Sequence, residues 1–102
     1  MQRVLCKNII IKNCNIKAPH NTNDLTKCGI YIDSCENVII QNNIIGDNTA
    51  GTQAKTYGIR VTSFDTSTRT KGIIRIGKNT IYGSGSSGIY ISDLKDAFVN
   101  II

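Results

Sequence analysis

The chain has 102 residues, a length that bounds it to one domain, and carries a net charge of +5 at pH 7. Ile is the commonest residue with 19 and Asn follows with 11, while Pro occurs once, at Pro19, and Trp is absent; such a mixture of β-branched residues and Asn favours extended chain and turns over helix. Lys and Arg are scattered singly, without a dense basic cluster or an interleaved aromatic platform, so the basic excess points to a solvated surface or an acidic polysaccharide and away from nucleic acid.

In chain order, the first predicted strand is residues 8–12. A corner at Cys14 and a short strand, Asn15-Ile16, follow. Residues 17–27 form a polar connection. Gly29-Ile30-Tyr31-Ile32 then alternates, with Ile30 and Ile32 facing one way and Tyr31 the other, which is strand periodicity. Residues 37–41, a corner at Asn43, the pair Ile44-Ile45 and a second polar connection, residues 46–56, complete that unit. Gly58-Ile59-Arg60-Val61 restarts the pattern. An insertion, Asp65 to Lys71, comes next, then a strand at residues 73–77, a corner at Asn79 and the pair Thr80-Ile81. After a short turn, Gly83 to Ser86, the segment Gly88-Ile89-Tyr90-Ile91 opens the last unit, which closes on the apolar run Ala97 to Ile102. No segment carries the apolar spacing of a helix, so little or no helix is expected.

The units repeat. Gly29, Gly58 and Gly88 begin equivalent segments, and Cys6-Lys7-Asn8-Ile9-Ile10-Ile11 matches Cys35-Glu36-Asn37-Val38-Ile39-Ile40 at a spacing of 29. A period of 29 to 30 residues with three short strands per period describes a solenoid. One such unit cannot bury its apolar face alone, so each strand must pair in parallel with its equivalent one period on. The expected fold is therefore all-β: a right-handed parallel β-helix of about four coils, as one segment spanning residues 1–102. Its inward columns are Ile30, Ile59 and Ile89; Ile32, Val61 and Ile91; and Cys6, Cys35, Phe64 and Leu94. Asn43 and Asn79, with Cys14 in register, are expected to form an amide ladder at a corner.

Cys6, Cys14, Cys28 and Cys35 form no CxxC pair and have no His in metal-binding spacing, so reduced, largely buried thiols are expected, although register makes a Cys6–Cys35 disulfide conceivable. No metal or other cofactor is called for. No run approaches the ~20 apolar residues that cross a bilayer, and Met1-Gln2-Arg3 leads into too brief an apolar stretch for a signal peptide. The last strand ends without a polar cap. Open solenoid ends expose apolar surface, so a longer chain continuing the stack, or a homo-oligomer such as a trimer, is expected.

The run Asn37-Val38-Ile39-Ile40-Gln41-Asn42-Asn43-Ile44-Ile45-Gly46, together with the Gly-Ile-Tyr-Ile segments, resembles the parallel β-helix repeat of the pectate-lyase-like superfamily. That group includes pectate lyases, polygalacturonases, alginate epimerases and bacteriophage tailspikes. The resemblance implies a polysaccharide partner and an extracellular or virion-surface location. It does not carry over an active site. The Gly-His-Gly and Arg-Ile-Lys signatures of the polygalacturonase branch are missing, Arg75-Ile76-Gly77 and His20 being the nearest residues.

Two constellations are candidates for function. The outward column Tyr31, Arg60 and Tyr90 sets a cation between two rings, which makes either a ligand-binding strip for sugar rings and carboxylates or a packing ladder that stabilises the sheet face. Asp33, Asp65 and Asp93 each lie just past the first strand of a unit and are candidate catalytic carboxylates, with the alternative of turn residues. Three functions follow: recognition of bacterial surface or acidic polysaccharide in the manner of a phage tailspike, with or without cleavage; a fragment of a polysaccharide lyase, glycoside hydrolase or epimerase; or a structural or adhesive solenoid without catalysis.

Overall fold

A computed structural model of the chain describes residues 6–17, 28–46, 57–63, 69–82 and 87–102. They form ten strands: β1 (Cys6–Lys12), β2 (Asn15–Ile16), β3 (Cys28–Asp33), β4 (Cys35–Gln41), β5 (Ile44–Ile45), β6 (Tyr57–Thr62), β7 (Thr70–Gly77), β8 (Thr80–Ile81), β9 (Ser87–Ile91) and β10 (Leu94–Ile101). Three sheets result, ordered β1-β4-β7-β10, β2-β5-β8 and β3-β6-β9, and every strand pair within them is parallel. Successive strands of the chain therefore belong to different sheets, an arrangement compatible with a β-solenoid. No helix occurs among the described residues.

Like residues stack on like because the sheets are parallel and in register. Ile9 pairs with Val38, Val38 with Ile74, and Ile74 with Val99. Ile30 pairs with Ile59 and Ile59 with Ile89, while Ile32, Val61 and Ile91 form the neighbouring column. These inward side chains meet at the centre, where Val38, Ile40, Ile45, Ile59, Val61 and Ile74 are fully buried. Each contributes roughly 1.5–3 kcal/mol by leaving water. Gly29 and Gly58 also face this centre: a Cβ on either would overlap the side chain of Ile45 or Ile81, respectively. Glycine is needed there for close approach.

Two kinds of interruption shape the strands. Asn8 in β1, Asn37 in β4, Gly72 in β7 and Asp96 in β10, the last next to Gly72's partner Ala97, all have left-handed backbone (φ 59°, 61°, 82° and 52°). Asn, Asp and Gly are the residues that tolerate this region. A left-handed residue breaks the alternation, so Cys35 and Val38, three apart, are both buried, and the register slips beside it between β4 and β7 and between β7 and β10. Asn37 also ties the column together: its Nδ2 donates to Asn8 Oδ1 (3.3 Å), and its Oδ1 accepts from Ile73 N (3.0 Å). The second interruption is the corner after each of β1, β4 and β7, where Asn13, Asn42 and Lys78 are left-handed at φ 56°.

The amide ladder forms at that corner. Asn43 Oδ1 accepts from Cys14 N (3.0 Å), and Asn79 Oδ1 accepts from both Asn43 N (3.1 Å) and Asn43 Nδ2 (2.9 Å). Asn43 Nδ2 also donates to Ile11 O, and Asn79 Nδ2 to Ile40 O, both at 3.0 Å. A buried amide is thereby satisfied on donor and acceptor sides.

Three sequence expectations are corrected. The spacing is not constant: Cys14 and Asn43 are 29 apart, whereas Asn43 and Asn79 are 36 apart, because the insertion falls inside this interval. The column of Cys6, Cys35 and Leu94 contains Thr70, which pairs with Leu94 and whose Oγ1 accepts from Cys35 N (3.1 Å); Phe64, expected in this column from the sequence, lies outside the described residues. The thiols are not largely buried. Cys35 is, but Cys28 is half-buried and Cys6 and Cys14 are exposed. Cys6 lies on β1, an edge strand with β4 on one side, so its column covers it from one direction. Val99 and Ile101 on β10 are exposed for the same reason, although their columns are buried at Ile74 and Ile76.

Candidate functional site

The outer face of the sheet β3-β6-β9 gathers the aromatic and basic side chains. Tyr31 pairs with Arg60, and Arg60 with Tyr90, so parallel register alone brings the three together. The Arg60 guanidinium carbon lies 5.3 Å from the Tyr31 ring centre and 5.7 Å from that of Tyr90. Tyr31 and Tyr90 remain 38% and 37% exposed, so each keeps surface available to a ligand.

A fourth residue joins them. The Tyr57 ring centre is also 5.7 Å from the Arg60 guanidinium carbon, and the ring stacks on Tyr90 with centres 4.8 Å apart and planes 25° apart. Strand alternation counted back from Ile59 places residue 57 among the inward set, which is why sequence reasoning missed it. Gly58 faces the centre next to Ile59, so the alternation breaks at this glycine and Tyr57 emerges on the outer face. The available signal was a repeat glycine preceded by an aromatic residue, where Cys28 and Ser87 stand in the other units.

Each cation–π contact contributes about 0.5–1 kcal/mol at a partly exposed site, and the stacked pair about 0.5–1.5 kcal/mol. The cluster therefore stiffens its own sheet face. It also presents ring surfaces to the C–H faces of a sugar. The guanidinium fork matches a carboxylate with two parallel hydrogen bonds.

Asp33 and Asp93 take different positions in their units. Asp33 ends β3, pairs with Thr62, and accepts a hydrogen bond on Oδ1 from Ser34 Oγ (2.9 Å). Asp93 lies in a left-handed turn (φ 57°) before β10, 3.5 Å from Arg69 Nη1, which also donates to the Asp93 carbonyl. Thr62 Oγ1 contacts Ser92 Oγ at 3.0 Å, so Ser92, and not Asp93, follows Thr62 and Asp33 in their column. Asp65 lies outside the described residues, as do His20 and most of the connections 17–27 and 46–56. On the sheet β1-β4-β7-β10, a half-buried Glu36 sits between the exposed Lys7 (3.6 Å) and Lys71 (3.8 Å), a ladder of alternating charge.

Among the described residues no three His, Cys, Asp or Glu side chains are grouped to hold a metal ion, and no helix is long and apolar enough to cross a membrane. No protein-family model, curated protein or solved structure matches the chain.

Proposed function

We propose that the chain is a segment of a right-handed parallel β-helix of the pectate-lyase-like type, about four coils long, that recognises carbohydrate in the manner of a phage tailspike. The ligand is bacterial surface or acidic polysaccharide, and the binding surface is Tyr31, Arg60 and Tyr90, supported by Tyr57. The observation that carries this reading is the single guanidinium set among three tyrosine rings on an outer sheet face. Rings supply an apolar platform for sugar, and Arg60 supplies a partner for a uronate carboxylate. The net charge of +5 favours encounter with a polyanion. An extracellular or virion-surface location and a homotrimer, or further coils covering the apolar side chains of β10, belong to the same reading.

A structural or adhesive role without a ligand is the second reading. The stacking of buried Tyr57 on Tyr90 favours it, because that contact stabilises the face whether or not sugar binds.

Calorimetric titration with uronate-containing and neutral oligosaccharides separates the two. The wild type is expected to bind the acidic series. Arg60→Ala should weaken binding at least about tenfold, a loss of ~1.4 kcal/mol. Arg60→Lys should recover part of it, since charge returns without the planar fork. Equal or absent binding in wild type and Arg60→Ala would leave the structural role. Incubation with the same polymers, read by reducing ends and by absorbance of unsaturated products, reports whether cleavage accompanies binding.

A further inference from the structure

We propose that Cys6 and Cys35 are a redox pair, closed to a disulfide by a low-molecular-weight disulfide such as oxidised glutathione, which then ties strand β1 to strand β4. The two residues are direct register partners on adjacent parallel strands. Such partners lie about 4.8 Å apart, inside the ~4.4–6.8 Å range of Cα separations that disulfides span. Both carry reduced thiols, and their exposures are complementary: Cys6 is open to solvent, while Cys35 is 6% exposed. The Cys35 backbone is fixed by its N–H donating to Thr70 Oγ1 (3.1 Å), and its thiol donates to the Asp33 carbonyl (3.4 Å). Burial, and then the adjacent Cys6, push the Cys35 thiol up from its ordinary range. Cys35 is thereby kept from reacting first.

The exchange proceeds in two displacements. The Cys6 thiolate attacks one sulfur of the small disulfide, whose S–S bond breaks. One glutathione leaves as thiolate, and Cys6 holds the other as a mixed disulfide. Cys35 then gives up its proton and attacks Cys6 Sγ, expelling the second glutathione. Two protein thiols are oxidised, one small disulfide is reduced to two thiols, and the protons released balance those taken up. β1 has a strand on one side of its sheet, so this bond secures an edge strand, which is held by one neighbour only.

Cys14 supplies an internal control. It is also exposed, but its register partner is Asn43, and its thiol donates to Lys12 O (3.2 Å). That partner carries an amide, which cannot resolve a mixed disulfide.

The test treats the full chain with oxidised and reduced glutathione in varied ratio, followed by peptide mass mapping and hydrogen exchange. A Cys6–Cys35 linked peptide should accumulate while Cys14 retains glutathione, and exchange of the β1 amides should slow about tenfold on oxidation. Cys35→Ala should leave glutathione on Cys6. Should that buried substitution fail to fold, Cys6→Ser, at an exposed position, should leave Cys35 as an unmodified thiol. Persistence of glutathione on wild-type Cys6, as on Cys14, would overturn the proposal. So would a linked peptide joining Cys6 to any other cysteine.

Discussion

The corner that follows β4 and the corner that precedes β7 both have to satisfy backbone groups where the chain leaves a sheet, and they use different side chains to do it. After β4, Asn43 faces Asn79, and each amide reaches the backbone of the neighbouring unit. This works because the corners after β1, β4 and β7 share one backbone course, set by left-handed residues at 13, 42 and 78. Before β7, hydroxyl groups hold Thr62 and Ser63 beside Thr70. Thr70 N donates to Ser63 Oγ at 2.7 Å, and Thr70 Oγ1 donates to Thr62 O at 2.8 Å while accepting from Cys35 N. Thr70 thus grips the residues that precede the insertion and the strand of the unit before it. Chain can be added between Ser63 and Thr70 without disturbing the sheets, because the two ends of the addition are held together. An amide ladder suits repetition; a hydroxyl clasp suits interruption.

Breaking the amide ladder should have the largest effect. Asn43 is 1% exposed, and Asn43→Ala removes its own hydrogen bonds while leaving Cys14 N, Ile11 O and Asn79 Oδ1 each short of one. A loss of about 3 kcal/mol is expected, read from the midpoint of urea unfolding. A change below ~1 kcal/mol would mean that water replaces the amide and that the ladder is incidental.

The clasp should be somewhat weaker. Thr70→Val keeps the shape and deletes the hydroxyl, stranding Cys35 N and leaving Thr62 O with the bond from Ser34 N (3.3 Å) alone. About 2 kcal/mol should be lost. Thr70→Ser should retain most of the stability, because it keeps the hydroxyl and drops a methyl. If Val and Ser behave alike, packing and not hydrogen bonding holds these residues together.

This contrast also explains what could be read from the sequence. Cys14, Asn43 and Asn79 are legible because each directly precedes a two-residue strand, whatever the spacing between units. The Tyr31–Arg60–Tyr90 register is legible for a similar reason, since each follows a repeat glycine by two residues. Thr70 is not. A polar residue at the end of a polar insertion looks like part of that insertion, and hydrophobicity assigns its column to Phe64. Tyr57 is hidden because alternation fails at Gly58. The left-handed residues Asn8, Asn37, Gly72 and Asp96 are hidden by the same rule: a strict period of two has no place for a residue that shifts the parity of the strand. Burial of the cysteines depends on which strand is at the edge of a sheet, and residue identity does not report that.

The smallest effect sharpens the comparison from the other side. The repeated corner places Asn13, Asn42 and Lys78 at the same left-handed φ of 56°. Asn tolerates that conformation because its short side chain bonds locally to the backbone, whereas Lys carries the steric cost without that return. Lys78→Asn should therefore raise stability by about 0.5 kcal/mol, and Asn42→Lys should lower it by a similar amount, both by urea unfolding. Lys78 lines a small cavity with Gln41, Asn42, Gly77 and Ile102. If Lys78→Asn is neutral or destabilising while Asn42→Lys still costs stability, the lysine stem packs in that cavity strongly enough to offset its backbone strain. The corner would then be uniform in course but not in what holds it.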